Sequence, residues 1–276
     1  MTNPLLSKLQ LPGQLFQLPS RGVFYDETIV DKKTIETDGQ IEVRPHTTMS
    51  EIYLRSPDML YSGRSFGEIC KICAPSIKNA DALLTYDVDA IFIMLKIASE
   101  GPKMTLKYKH NCISAKDHTY EIDIQTVLND CVPNFDMKKH KEMAYSVTMP
   151  NGQKVNLTPQ RFYDLVRSTH AIDDLARINR GEDTPNNREQ RTYLMREYEI
   201  SQLISKIADV DGYTDSRFIR EWIEIMPANY RTLIEEAWEQ AETWHKIPEY
   251  KFVCHDCNAQ ITGDLVDLNA ISFFKG

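Results

Sequence analysis

The chain has 276 residues, of which 42% are hydrophobic and 26% are charged, and its net charge at pH 7 is −8. A chain of this length can bury a full core without disulfide or metal cross-links. The acidic balance argues against a general nucleic-acid-binding protein, which usually carries a basic excess or a basic stripe. The basic cluster at residues 138–141 is expected to be a solvated loop.

The sequence also lacks the features of a membrane or secreted protein. Its apolar runs are shorter than the ~18 residues that a membrane-spanning helix needs, and the best candidate, residues 90–98, contains Lys96. The N-terminus has no charged start followed by an apolar stretch and a cleavage site. We therefore expect a cytosolic protein, whose six cysteines are thiols or metal ligands because disulfides are rare in that compartment.

Residues 1–40 are predicted to form an extended apolar arm. Prolines and glycines discourage a helix there, yet the segment is rich in large apolar side chains that are costly to leave in water. We expect residues 18–25 to pack on the chain's own core, and residues 5–16 to contact another subunit. In the alternative, residues 5–16 cover their own domain.

Residues 41–157 are predicted to be a mixed α and β region. Asp87 is the expected N-cap of its longest helix, and Gly101 ends that helix. Asn151 and Gly152 give a strong hairpin signal. The predicted elements are helices at residues 48–54, 65–73 and 87–99, and strands at 41–44, 104–108, 120–124, 144–149 and 155–157.

Residues 158–248 are predicted to be helical, beginning with Thr158 as N-cap and Pro159 in the first turn. The predicted helices run from 158 to about 179, from 189 to 209, from 214 to 225 and from 228 to 246. Strands return at residues 250–253 and 261–268. The fold class is therefore α+β, with a C-terminal strand module at residues 249–276 that is expected to pack on residues 103–125.

A Cys/His pattern suggests a zinc-ribbon-like module. Cys254 and Cys257 are spaced so that both thiolates can bind one Zn²⁺ ion, and they lie between two predicted strands. His110 and Cys112 occupy a similar turn between strands, so each segment resembles one half of a zinc ribbon. Because zinc prefers four tetrahedral nitrogen and sulfur ligands, these four residues are the predicted zinc ligands.

Other interpretations of this pattern stay open. His118 or His255 could replace one of the ligands. Cys254 and Cys257 could instead be ordinary small residues on a turn that has lost its metal. A redox Cys-x-x-Cys would require a strand-to-helix context of the thioredoxin type, which the flanking sequence does not offer.

The remaining cysteines are predicted to be structural. Cys70 and Cys73 lie three residues apart within a predicted helix, and Cys131 precedes a Val-Pro pair. Cysteines in such positions are usually buried and act as small apolar residues.

No catalytic pattern is present in the sequence. There is no Gly-rich phosphate loop, no Gly-x-Ser-x-Gly elbow and no His-Glu-x-x-His. His170 could act as a base, but nothing nominates a nucleophile for it. The carboxylates at Glu235, Glu236, Glu239 and Glu242 have the spacing of a solvated helix face. We therefore expect a protein that is not an enzyme.

Several motifs together resemble a known phage family. They are residues 18–25 (LPSRGVFY), residues 42–48 (EVRPHTT), residues 55–57 (RSP), Gly63-Arg64, the helix at 87–101, the Cys254-x-x-Cys257 turn and residues 272–274 (SFF). Their order is similar to that in the T-even-type bacteriophage family that contains the baseplate hub subunit and the hub assembly protein of contractile tails. Many relatives have a full Cys-x-x-Cys where this chain has His110-Asn111-Cys112.

The resemblance implies a role in building the phage tail in the host cytoplasm, through contacts with other baseplate hub or tail proteins, with self-association as a further kind of contact. The protein would be a chaperone-like assembly factor or, alternatively, a permanent part of the hub in the virion. A rival from another class is a zinc-ribbon protein that binds nucleic acid, which a salt-dependent affinity for DNA would reveal. Neither a small-molecule substrate nor a membrane span is expected.

Overall fold

The computed structural model describes residues 12–108, 118–181, 184–245, 250–254 and 256–263. It confirms a mixed α+β protein, with many helices and small antiparallel sheets. The chain divides into two compact units. The first unit takes in the described parts of residues 1–80, 86–134 and 245–276, and the second takes in residues 81–85 and 135–244.

The helices, in chain order, are α1 (Lys32–Glu36), α2 (Thr48–Leu54), α3 (Pro57–Tyr61), α4 (Arg64–Cys73), α5 (Thr85–Glu100), α6 (Ile124–Cys131), α7 (Met137–Ala144), α8 (Phe162–Asn179), α9 (Pro185–Lys206), α10 (Ser216–Ile225) and α11 (Ala228–Ala241). Short 3-10 helices lie at Ala80–Ala82 and Glu242–His245. The strands are β1 (Gln14–Gln17), β2 (Gln40–Val43), β3 (Lys103–Tyr108), β4 (His118–Asp123), β5 (Ser146–Thr148), β6 (Lys154–Leu157), β7 (Ile207–Val210), β8 (Tyr250–Val253) and β9 (Gln260–Gly263). No described helix is both long and apolar enough to cross a membrane.

Helix α5 is the central element of the first unit. Buried side chains lie on most of its faces rather than along one stripe, as expected of a helix surrounded by other elements. They include Val88, Ile91, Met94, Leu95 and Ile97. The helix ends at Gly101, whose φ of 93° is the left-handed conformation that glycine adopts at low cost.

The prediction that Asp87 caps α5 is wrong, because the helix already begins at Thr85. Asp87 is instead fully buried. Its carboxylate accepts hydrogen bonds from the backbone N–H of Ser20 (3.0 Å), from the Ser20 hydroxyl and from the Tyr25 hydroxyl (2.5 Å). The same segment buries Leu18 and Phe24. The expectation that residues 18–25 pack on the chain's own core is therefore confirmed.

The first part of the predicted arm behaves differently from the expectation. Strand β1 pairs antiparallel with β2, so that Phe16 faces Ile41 in register. Phe16 is buried, whereas Leu15 is 67% exposed. The burial of Phe16 agrees with the alternative that this stretch covers its own domain, while the exposed Leu15 stays open to a partner and residues 1–11 lie outside the described residues. A four-residue strand is too short for its alternation to stand out in the sequence.

This pairing makes a prediction about truncation. Deleting residues 1–16 should lower the free energy of unfolding by about 2–3 kcal/mol, because it removes β1 and the buried Phe16 side chain. Deleting residues 1–11 leaves β1 intact and should not have this effect. Urea denaturation of both proteins is the measurement. Equal midpoints for the two truncations would contradict the role of β1.

The second unit contains a three-stranded sheet in the order β5-β6-β7. The predicted hairpin at Asn151-Gly152 joins β5 to β6. Strand β7 corrects the prediction of a helix over residues 189–209, since α9 stops at Lys206 and the chain then pairs with β6. Thr158 continues this pairing, because its N–H donates to the carbonyl of Lys206 (2.9 Å). For that reason α8 begins at Phe162, not at Thr158 and Pro159.

Two further surface predictions are wrong in the second unit. The basic cluster at residues 138–141 belongs to helix α7, whose N-cap is Asp136, and is not a loop. Glu242 is buried instead of lying on a solvated face. Its carboxylate accepts a hydrogen bond from the Tyr145 hydroxyl (2.5 Å), which in turn accepts one from the Trp244 indole (2.7 Å). This network fixes the end of α11 against β5.

Candidate functional site

The predicted metal ligands Cys254 and Cys257 lie in one tight turn between β8 and β9. The Cys254 N–H donates to the carbonyl of Ala259, and its carbonyl accepts from the N–H of Asn258, both at 2.9 Å. Asn258 has a φ of 54°, in the left-handed region that asparagine tolerates. Cys254 is buried and Cys257 half-buried. Strand β8 confirms the strand predicted at residues 250–253. Strand β9 ends at Gly263 and so matches the first part of the strand predicted at residues 261–268.

The other half of the predicted zinc site, His110 and Cys112, lies outside the described residues, and so does His255. Within the described ranges, no group of three or more His, Cys, Asp or Glu side chains is arranged to hold a metal ion. The structure thus shows that Cys254 and Cys257 share one turn and does not test the rest of the ligand set. The complete four-ligand site stays a prediction.

The structural role predicted for the other cysteines is confirmed, because Cys70, Cys73 and Cys131 are all buried. Burial raises the pKa of the Cys73 thiol and that of the Cys131 thiol. A thiol that keeps its proton at neutral pH is a poor nucleophile. These cysteines therefore contribute to packing.

Helix α10 carries an exposed apolar stripe. Phe218, Trp222 and Ile225 follow each other at i, i+4 and i+7, which places them on one side of the helix. Phe218 is 56% exposed and Ile225 is 83% exposed, while Trp222 is half-buried and donates its indole N–H to the Gln153 side chain (3.1 Å). We call these three residues the α10 surface, together with the exposed Tyr213, which shortly precedes the helix in the sequence.

The hairpin of α8 and α9 is also sparsely buried. Of the 18 residues of α8, only Asp164 and Leu175 are buried. Leu165 and Ile172, seven residues apart and so on one face, are both exposed. On α9, Tyr193 is likewise exposed. A helix pair that leaves this much apolar surface in water offers a second candidate contact surface.

A cleft of about 290 Å³, lined by both polar and apolar atoms, lies between α8 and α9. Small or polar side chains occupy positions where a packed helix pair would normally carry large apolar ones, so the two helices leave a gap. Those that shape it are Asp164, Ser168 and Ala171 on α8, and Tyr198, Ser201 and Ser205 on α9. His170, the residue considered as a base from the sequence, also lines the cleft.

Asp164 is the buried carboxyl group of this cleft. Burial raises its pKa to about 6. Since this value lies above the ~3.9 of an aspartate in an unfolded chain, folding favours the protonated acid. The stability that the group contributes below pH ~4 is lost as the pH rises through about 6. A backbone hydrogen bond from Arg161, the charges of Arg167 and Arg161 and a hydrogen bond from the Tyr163 side chain favour the ionised form, but they do not outweigh its burial.

The sequence did not indicate this cleft. Ser168 donates its hydroxyl hydrogen to the backbone carbonyl of Asp164 (2.7 Å) and accepts a hydrogen bond from the Gln202 side chain. Its hydroxyl is therefore engaged in local structure and is not paired with a base. The small residues repeat at helical spacing on both helices, but that repeat has meaning only once the two faces are known to meet.

Comparison with known proteins identifies the family. A family model described as T4 bacteriophage base plate protein matches residues 36–275. The chain belongs to this family. The resemblance to T-even-type baseplate proteins is thus confirmed at the level of the baseplate. Neither a curated protein nor a solved structure gives a significant match.

In a baseplate protein, exposed apolar side chains are candidates for contacts with other tail proteins. Aromatic residues are enriched where proteins bind each other, and a few such residues usually supply most of the binding energy. The α10 surface provides three aromatic side chains and a highly exposed isoleucine within the second unit. It is the best candidate contact surface among the described residues.

Proposed function

We propose that this baseplate protein helps to assemble the phage baseplate hub by binding other tail proteins through the α10 surface. The family match over residues 36–275 carries the proposal. The exposed apolar side chains of α10 support it, because they are costly in water unless a partner covers them. The protein would do this work in the host cytoplasm.

The finer role in this proposal is that of a chaperone-like factor that leaves before the virion is complete. The alternative is a permanent subunit of the virion hub, which would use the same surface. Mass spectrometry of purified virions beside tail-assembly intermediates separates the two. We expect the protein in the intermediates and not in the virions, and its presence in both would favour the permanent subunit.

We further propose that the protein has no catalytic activity of its own. Two observations support this. The Cys73 and Cys131 thiols are buried with raised pKa values, and the Ser168 hydroxyl is bonded to a carbonyl and an amide rather than to a base. A folded His170→Ala variant, which removes none of the carboxylates of the cleft, should therefore support tail formation, and failure of a variant that still binds its tail partners would point to chemistry in the cleft.

We also propose that Cys254, Cys257, Cys112 and His110 hold one zinc ion. The tight turn with Cys254 and Cys257 supports half of this ligand set, and a bound zinc would cross-link the two hairpins. Protein purified without added zinc or chelator should contain about one zinc per chain, measured by inductively coupled plasma mass spectrometry.

The matched control for this zinc prediction is Cys70→Ser, which changes a buried cysteine outside the proposed ligand set. Its zinc content should be unchanged, whereas Cys257→Ser should lose the metal. A wild-type zinc content near zero, with stability unaffected by chelation, would remove the metal from the protein. The family assignment would survive that result.

A further inference from the structure

The cleft between α8 and α9 has the properties of a small binding site. Its volume of about 290 Å³ is close to the lower end of ligand pockets, which start at roughly 300 Å³. Its walls belong to two regular helices of the second unit, so the lining is held by backbone hydrogen bonds and not by a loop. Ala171 and Ser201 contribute small side chains to this lining.

The lining is richer in hydrogen-bond acceptors than in cations. Three carboxylates line the cleft, those of Asp164, Asp174 and Glu197, against the guanidinium of Arg167 and the imidazole of His170. The serine hydroxyls and the Tyr198 hydroxyl can also accept. A ligand that brings several N–H donors and a positive charge would therefore complement the cleft better than an anion.

The three carboxylates are not equivalent. Asp174 forms an ion pair with Arg177 (2.7 Å), and Glu197 forms one with Arg220 (2.5 Å). Among the described residues no ion pair of this kind is made by Asp164, which is also the most deeply buried of the three. The charges of Arg167 and Arg161 act on it without a direct ion pair, so a cation that enters the cleft would give Asp164 the direct partner that the other two carboxylates already have.

We propose that this cleft receives a single arginine or lysine side chain of a partner protein, with Asp164 as its carboxylate partner. The proposal rests on the proposed function, because the occupant is a residue of a tail protein bound during assembly. The cleft would then add a charge-selective contact to the apolar contact of the α10 surface.

Binding of small probes to the purified full chain tests the cleft directly. The probes are N-acetyl-arginine amide, N-acetyl-lysine amide and the uncharged N-acetyl-norleucine amide, followed by amide chemical shifts in two-dimensional NMR. We expect saturable shifts confined to α8 and α9 with the two cationic probes and none with the norleucine probe. Absence of saturable binding, or equal binding of all three probes, would overturn the proposal.

Variants locate the site. Asp164→Asn should weaken the cationic probes at least about tenfold, because a hydrogen bond to a charged group contributes roughly 1.5–3 kcal/mol. Asp173→Asn, an exposed aspartate on the same helix, is the matched control and should change nothing. Ala171→Leu, which fills the cleft, should prevent binding. If Asp173→Asn weakened the probes as much as Asp164→Asn, the attraction would be general and not that of a site.

Phage complementation separates this proposal from the proposed function. Ala171→Leu, if folded, should reduce phage yield when it is the sole copy of the protein. Probe binding by the wild type together with full complementation by Ala171→Leu would show that no partner uses the cleft. The role of the α10 surface would stand, since that surface does not include residue 171.

Discussion

Replacing Phe218 and Ile225 together with serine is expected to abolish baseplate assembly without unfolding the protein. Each truncation of a central apolar contact residue costs at least about 2 kcal/mol of binding energy, so the pair should weaken partner binding by about a thousandfold. Both side chains are more than half exposed, and such surface changes usually alter stability by less than about 0.5 kcal/mol. The measurement is phage titre after complementation by the variant.

A matched control comes from the first unit. Met49 and Ile52 on α2 are also about half exposed, at 48% and 52%, and are replaced by serine in the same way. This control variant should complement normally. Normal complementation by the Phe218→Ser, Ile225→Ser protein would show that the α10 surface is not a contact surface in assembly.

Replacing Asp87 by alanine is expected to have the largest effect on stability, about 3–5 kcal/mol in the free energy of unfolding. The substitution removes the acceptor shared by the Ser20 backbone N–H and the Ser20 and Tyr25 hydroxyls, and losing a partner in a buried charged network costs roughly this much. Burial of the carboxylate is itself costly and raises the Asp87 pKa. Because alanine removes this cost as well, the loss in the free energy of unfolding stays below the sum of three hydrogen bonds to a charged group. Urea denaturation followed by circular dichroism measures it.

Two variants make this prediction specific. Asp130→Ala changes an exposed aspartate of the same unit and should shift the free energy of unfolding by less than about 0.5 kcal/mol. Asp87→Asn keeps the shape of the side chain and one carbonyl oxygen. Its loss in the free energy of unfolding should therefore lie between those of Asp130→Ala and Asp87→Ala. A midpoint for Asp87→Ala equal to that of Asp130→Ala would show that the buried network does not hold residues 18–25 in place.

Elements with strong local signals were predictable from the sequence. Helices α2 and α4 lie within one residue of their predicted bounds, since amphipathic spacing and an N-cap act within a few residues. The hairpin between β5 and β6 follows from Asn151-Gly152, whose turn geometry is equally local. The burial of Cys70 and Cys73 follows from their position on an apolar helix face.

Features that depend on distant partners were not predictable. Residues 207–210 continue the helical spacing of α9, yet they become strand β7 because β6 offers them backbone partners. Glu242 has the spacing of a solvated face. It is nevertheless enclosed by Tyr145, which lies about a hundred positions earlier, and by Trp244, which lies two positions later. Asp87 looks like an N-cap and instead anchors residues far away in sequence.

The candidate sites divide in the same way. The Cys254-x-x-Cys257 turn was evident from the sequence because four neighbouring residues define it. The stripe of Phe218, Trp222 and Ile225 also follows from helical spacing, but the sequence could not show which side of α10 the core would cover. The cleft at Asp164 exists only because two helix faces with small residues meet. Local chemistry thus determined the family motifs and most elements, whereas burial and exposure were decided by contacts between residues that only folding brings together.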